Sequence, residues 1–229
     1  MERLILFAKR PRLGQVKTRL SPPLSAEQAL ALYRCFLADQ LELLGDQARR
    51  RGAELCADGA WEPELDPPLP GAVAFATQGA GDLGERMLRA LERAHREGSR
   101  ATVLIGADAP TLPAATIDAG FALLDSGADA VVAPAEDGGY VLIGTRAPHP
   151  ELFAEVGWGG PHVLAETRER ARRSRRTLVE LPGGFDVDDH AGLRRLREEL
   201  RDPAARARAP ATANWLDHAA TSVLYSASC

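Results

Sequence analysis

The sequence has almost no lysine: of its 28 lysine and arginine residues only Lys9 and Lys17 are lysine, and both fall in one N-terminal loop. It is also poor in cysteine. Cys35, Cys56 and Cys229 are widely spaced and form no C-x-x-C, so reduced thiols are expected rather than a disulfide framework. The five histidines show no His-x-x-x-His or His/Cys cluster, which argues against zinc. No apolar run approaches the roughly 20 residues of a membrane span, and the N-terminus carries no small-residue cleavage signal. A cytoplasmic protein with no membrane partner is therefore expected. The net charge of −4 argues against a general nucleic-acid partner. There is no G-x-S-x-G, so covalent acyl chemistry has no support. The first loop lacks G-x-x-x-x-G-K-[ST], and the glycines near residue 80 are not read as a spaced G-x-G-x-x-G fingerprint. No internal repeat is found.

What remains is an ordinary globular balance over 229 residues, 45% hydrophobic and 26% charged, enough for one sizeable core. Residues 1–229 are read as one domain, with 202–229 as a C-terminal extension. Apolar, β-branched runs alternate with helical patterns, which predicts an α/β fold with a mainly parallel sheet and helices on both faces. Strands are expected at Leu4–Phe7, Ala53–Ala57, Val73–Ala76, Thr102–Gly106, Ala128–Pro134, Val141–Gly144 and Thr177–Leu181. Ser25 with Gln28 forms a capping box for a long helix, and further helices are expected after Asp82, Pro113 and Gly160 and around Leu193–Leu200. Residues 58–72 read as a surface loop. The arginine run 168–176 reads as a solvated helix terminus. Beyond Asp202, Trp215, Leu216, Val223 and Leu224 form an apolar group that could cover the core or a second subunit, so a homodimer stays open.

The basic loop follows the first strand and holds Lys9, Arg10, Arg12, Lys17 and Arg19, five cations in eleven residues. An ammonium suits phosphate oxygens as a point charge and arginine clamps them bidentately, so the loop reads as a polyanion site, with Gly14 and Thr18 also fitting phosphate contact. Asp108 directly follows an apolar strand, where open α/β sheets place ligands. It is either a Mg²⁺ ligand or a turn or helix cap. Asp186-Val187-Asp188 is a second acidic cluster. Its two carboxylates are expected on opposite faces of an extended segment, with one of them meeting the ion, and Asp188-Asp189 could equally cap the next helix. Glu136-Asp137-Gly138-Gly139-Tyr140 is either a ligand-contacting loop or a tight turn. The stretch Gln78 to Gly84 could present amides to an anion, or Asp82 and Glu85 could cap the helix there.

In order along the chain, Phe7-Ala8-Lys9 with Lys17-Thr18-Arg19-Leu20, Gly81 to Met87, Ile105 to Pro110, Pro134 to Tyr140, Trp158 and Asp186-Val187-Asp188 resemble one family over residues 2–200. This is DUF2064, the selenium- or arsenosugar-associated transferases. It is similar to the phospholactate guanylyltransferases and molybdenum-cofactor nucleotidyltransferases of the GT-A nucleotide-diphospho-sugar transferase fold. The resemblance implies a GT-A-like sheet and a Mg²⁺ (or Mn²⁺) cofactor. It implies a nucleotide site of Phe7, Ala8, Lys9, Gly14, Lys17, Thr18, Arg19, Gln78, Gly81, Gly84 and Arg86. It gives catalytic roles to Lys9, Lys17, Arg19 and Asp108, and metal ligation to Asp108, Asp188 and Asp186. Glu136, Asp137, Gly138, Gly139, Tyr140 and Trp158 would meet the acceptor. Gly159-Gly160 departs from the small hydroxyl residues usual after the tryptophan. Sugar transferases of this fold commonly carry Asp-x-Asp, whereas Asp108-Ala109-Pro110 has one carboxylate. The expected activity is therefore nucleotidyl transfer from an NTP to a small phosphorylated or hydroxyl acceptor. A nucleotide-sugar glycosyltransferase and a catalytically silent nucleotide-binding protein are the alternatives.

Overall fold

The structure, a computed structural model, describes residues 1–226, with side chains described as far as residue 218. Cys229 and the side chains of Val223 and Leu224 therefore lie outside the described residues. Seven strands form one sheet in the order β3-β2-β1-β4-β6-β5-β7. They are β1 (Glu2–Ala8), β2 (Gly52–Ala57), β3 (Ala74–Thr77), β4 (Ala101–Gly106), β5 (Ala130–Pro134), β6 (Tyr140–Thr145) and β7 (Leu178–Glu180). β6 runs antiparallel to both β4 and β5, and every other pairing is parallel. The expected strands are all present, within two residues of their predicted bounds.

The described residues form seven α-helices, of which α7 packs on α1: α1 (Ala26–Gln47), α2 (Leu83–Arg96), α3 (Ala114–Asp125), α4 (Val163–Arg173), α5 (His190–Glu199), α6 (Pro203–Arg208) and α7 (Pro210–Ser226). Strand alternation decides which face each side chain serves. Leu4, Leu6 and Ala8 of β1 join Leu32, Phe36 and Leu37 of α1 and Phe121 of α3, while Ile5 joins Met87 and Leu91 of α2 and Leu164 of α4. The capping box of α1 is as expected, and α2 carries a second one between Asp82 and Glu85. No helix among the described residues is long and apolar enough to cross a membrane.

The chain runs outward from β1 through β2 to β3 and then returns as β4 on the other side of β1. The carboxyl ends of β1 and β4 thus flank a topological switch point, where α/β sheets open a crevice. The C-terminal extension packs on its own chain: Leu216 is buried, and Trp215 is half-buried against the same core. Its anchor is Asp39 of α1, which accepts hydrogen bonds from Ala211 N, Thr212 N and Thr212 Oγ1 at 2.8, 2.9 and 2.6 Å. One buried carboxylate on the first helix thus caps the last.

Asp39→Ala strands these donors and is expected to cost about 2–3 kcal/mol in urea unfolding, with Asp39→Asn recovering part of the loss. A second prediction concerns His149, buried just before the turn Pro150–Leu152 with neither ring nitrogen hydrogen-bonded among the described residues. Burial, then the nearby Arg176, hold its pKa below the ordinary 6.5, against the pull of Glu151 and Asp129. Above 6.5 both states are neutral; below it the unfolded chain takes the proton first, so stability falls with pH. His149→Gln is expected to flatten this fall, read as unfolding midpoints across the acid range.

Candidate active site

The β1 end and the β4 end are tied by backbone: Ala107 N donates to Phe7 O at 3.1 Å. The next residue is Asp108. Its carbonyl accepts from Val187 N at 2.9 Å, which brings the Asp186-Val187-Asp188 segment alongside. Val187 is fully buried, and Asp186 and Asp188 on either side of it border one cavity. The two carboxylates thus share a face, as residues two apart on an extended segment do, rather than the opposite faces expected. Asp189, not Asp188, caps α5, through bonds to Ala191 N and Gly192 N, and α3 is capped without Asp108. Neither candidate metal carboxylate is thus spent on capping a helix.

Lys17 joins them. Its Nζ contacts Asp108 Oδ1 and lies 2.8 Å from Asp188 Oδ1. The lysine side chain is 3% exposed, whereas the two carboxylates are about half-exposed. Its ammonium also lies 5.8 Å from the ring centroids of both Tyr33 and Phe36, within cation–π range. Lys17 adopts the left-handed conformation (φ 50°), an uncommon state for a side-chain-bearing residue that turns its stem inward. Burial pulls the ammonium pKa down, but Asp108 and Asp188 outweigh it and hold the value above the ordinary one. Asp188 is the mirror case: burial pushes it up, and Lys17, with Lys9 and Arg19 behind, brings it below the usual carboxylate value. Asp186 finds no such partner. Burial, then Asp137, Asp188 and Asp108, push it up to about 6.

The sequence-predicted basic residues divide into three groups. Lys9 and Arg19 are exposed and form no ion pair among the described residues. Arg10 is buried against Asp66 at 2.8 Å and Glu62 at 2.7 Å, so it staples the 58–72 loop rather than offering itself to a ligand. Lys17, expected on phosphate, already serves two carboxylates, because a buried ammonium must be paired. Gly14 lies exposed on the loop at φ 71°, and Thr18 opens the turn Thr18–Leu20.

The second expected nucleotide loop is largely committed within the chain. Gln78 is buried, its Nε2 donating to Ala8 O and Cys56 O, both at 3.0 Å. Gly79, Gly81 and Gly84 do have the G-x-G-x-x-G spacing after a strand and before a helix, contrary to the initial reading. However, β3 is an edge strand and not the switch-point strand, and the Asp82–Glu85 box puts carboxylates where an anion would sit. Arg86 Nε bonds Gly81 O at 2.7 Å. Gly84 makes room for Trp158, whose indole would lie 2.4 Å from a Cβ there.

The expected acceptor residues split similarly. Glu136 and Asp137 border a cavity of about 520 Å³ together with Arg19, Asp186 and Asp188. Gly138, at φ 92°, instead admits Pro161 O, which a Cβ would meet at 2.0 Å, and Gly139 N is held by Asp137 Oδ1 at 2.8 Å. Tyr140 and Trp158 meet edge to face with centroids 6.4 Å apart, and Trp158 stacks on Phe153. This aromatic group braces α2 against the β5–β6 loop.

Two positioning residues went unread in the sequence. Tyr33 OH accepts from Lys9 N and donates to Lys9 O, both at 2.9 Å. Burial and Asp108 hold its phenol protonated, as that double role requires. Gln40 Nε2 donates to Ala109 O at 2.6 Å and so fixes the turn that presents Asp108. Polar Asp39 and Gln40 on the buried face of α1 were the available signal.

A family model described as an uncharacterized protein conserved in bacteria (DUF2064) matches residues 44–160. The chain belongs to this family. A crystal structure from Desulfovibrio desulfuricans G20, of a protein provisionally classed as a nucleotide-diphospho-sugar transferase, is 33% identical to this DUF2064 chain. It covers 95% of this chain and 94% of its own, with a TM-score of 0.83. A cytidylyltransferase from Leptospira borgpetersenii shares the fold at 12% identity and a TM-score of 0.54, covering 87% of this chain and 86% of its own. The CMP:2-keto-3-deoxy-manno-octonic acid synthetase complexed with CTP does so at 10% identity and 0.53, covering 88% and 99%. No curated protein matches the chain. These likenesses give the DUF2064 sheet a GT-A-like fold.

Lys17→Ala leaves two adjacent carboxylates uncompensated. Breaking a fully buried pair costs roughly 3–5 kcal/mol; with half-exposed acids the expected loss is about 2 kcal/mol in EDTA. Added Mg²⁺ is expected to raise the melting temperature of the variant more than that of wild type.

Proposed function

We propose that this DUF2064 protein is a nucleotide-utilising transferase that moves a nucleotidyl group from an NTP to a small phosphorylated or hydroxyl acceptor, releasing pyrophosphate. The observation that carries the reading is the meeting of Asp108, Asp188 and Lys17 at the β1–β4 switch point, with Lys9 and Arg19 beside them.

The donor set fits Mg²⁺ or Mn²⁺. Asp108 and Asp188 offer hard oxygens that already converge on one cation, the Lys17 ammonium. The described residues contain no group of three or more metal-ligating side chains, so such an ion would keep coordination positions for water and phosphate oxygens. When bound, it would neutralise charge on the reacting phosphates. Lys9 and Arg19, exposed at the rim, supply fixed positive charge for the leaving pyrophosphate. Lys17 keeps the two carboxylates in register, through its buried stem and its contacts to Tyr33 and Phe36. In the transfer the acceptor oxygen bonds to the α-phosphorus as the bond to pyrophosphate breaks. A hydroxyl acceptor's proton leaves to a cleft carboxylate. Positioning and charge neutralisation make up the catalysis.

The 33%-identical relative's classification supports a second reading, transfer of a sugar from a nucleotide-diphospho-sugar. The single carboxylate of Asp108-Ala109-Pro110 and the lysine-bearing loop favour the first.

Titration calorimetry with an NTP panel is expected to show Mg²⁺ tightening NTP binding about tenfold or more in wild type and not in Asp108→Asn. Pyrophosphate release by Asp108→Asn is expected to fall about 10²–10³-fold. Equal NTP affinity with and without Mg²⁺ in both proteins removes the metal role, and tighter binding of UDP- or GDP-sugars than of NTPs favours the second reading.

A further inference from the structure

Arg195 stands on α5 where two cavities meet. One is the acidic cavity bordered by Arg19, Asp186 and Asp188; the other, of about 370 Å³, is within the range of small-molecule sites. Glu136, Phe185 and Arg195 border both and form the partition between them. The smaller cavity runs along the two segments that carry the acidic centre: Ala109 follows Asp108, and Gly184-Phe185 precede Asp186. Leu112, Val141 and Phe185 give it an apolar wall. Arg19 and Arg194 border the acidic cavity alone, so Arg195 is the cation common to the two.

The Arg195 guanidinium is held in place without being used up. Its central carbon lies 5.1 Å from the centroid of the buried Phe185 ring, within cation–π range, so the ring supports the charge from one side. Nε is 3.5 Å from Glu136 Oε1, and no hydrogen bond engages the guanidinium among the described residues. The two side chains are 45% and 64% exposed, and so long a contact between exposed groups is weak enough to yield to a ligand. Arg208, behind the wall, is already spent: its Nε donates to Thr111 O at 2.8 Å, and Nη2 lies 3.7 Å from Glu199 Oε1. That pairing also answers the charge of Glu199, the second acid on the border. One uncommitted fork thus stands beside an apolar wall. A guanidinium so placed takes a carboxylate or phosphate through two parallel hydrogen bonds.

We infer that the smaller cavity is the acceptor subsite and that Arg195 selects an acceptor carrying an oxyanion, a phosphate monoester or a carboxylate, over its neutral parent. The apolar wall takes the carbon skeleton. An anion held at the partition sets the acceptor at the edge of the cavity that contains Asp186 and Asp188. The inference rests on the transferase reading for its role in turnover. The binding preference stands on Arg195 and the cavity alone.

The test uses saturation-transfer NMR on the full chain in EDTA, with glycerol and D-glucose as neutral parents. Glycerol 3-phosphate and glucose 6-phosphate form the phosphate arm, glycerate and gluconate the carboxylate arm. Probes of at least one arm are expected to bind more tightly than their parents, and that arm identifies the anion. Their affinity is expected to fall about tenfold in Arg195→Ala, to recover in part in Arg195→Lys, and to rise about threefold in Glu136→Gln, which frees the fork. NTP affinity, measured in parallel, is expected to be the same in wild type and Arg195→Ala, and probe binding to survive Lys9→Ala. Neutral parents binding as tightly as the anions, no anionic probe binding, or undiminished binding in Arg195→Ala overturns the inference. So does loss of probe binding in Lys9→Ala, or loss of NTP and probe affinity together in Arg195→Ala, since either places the anion in the nucleotide's phosphate site. Arg195-dependent probe binding in a protein that binds no nucleotide supports the subsite while removing the transferase reading.

Discussion

One buried ammonium organises the molecule's functional edge. Lys17 cannot be desolvated without partners, and the partners it takes, Asp108 and Asp188, come from the middle and the far end of the chain, the second 171 positions away. Its left-handed backbone, its place near the Tyr33 and Phe36 rings, and the clasp of Tyr33 on Lys9 all serve that pairing. An amino acid that this arginine-rich chain otherwise uses only at Lys9 sits where a compact point charge is needed. A guanidinium is planar and wider and would hold the two carboxylates further apart.

Around that pairing the backbone carries much of the precision. Ala107 N to Phe7 O, Val187 N to Asp108 O and Gln40 Nε2 to Ala109 O fix three loops to one another independently of any exposed side chain. The site can therefore present half-exposed acids without letting them drift. On the other face, Trp158 against Gly84 and Tyr140 locks the β5–β6 loop to the start of α2. The glycines of both loops admit parts of this protein rather than a ligand.

The sheet, its order of elements and the helix caps were legible because strand alternation and Ser25–Gln28 are local signals. Asp108 and Asp188 were also legible, since each stands just past an apolar segment. Local sequence could not rank the cations: Arg10 and Lys17 look alike in a basic loop, yet distant acids bury both, Asp66 for one and Asp108 with Asp188 for the other. Nor could it reveal the glycine loops as packing devices, because their partners Pro161 and Trp158 are far away in sequence. Tyr33 and Gln40 were hidden for a further reason. They lie on a helix face that periodicity assigns to the core, and only tertiary contact turns a core position into a hydrogen-bonding one.

The clamp of Asp39 on residues 211 and 212 has a temporal side. A chain emerging from the ribosome exposes α1 long before α7, so this carboxylate must stay hydrated until the last helix arrives. Final closure of the α1 face is thus withheld from the nascent chain. Translation must pass residue 212 before the first helix can shed its water.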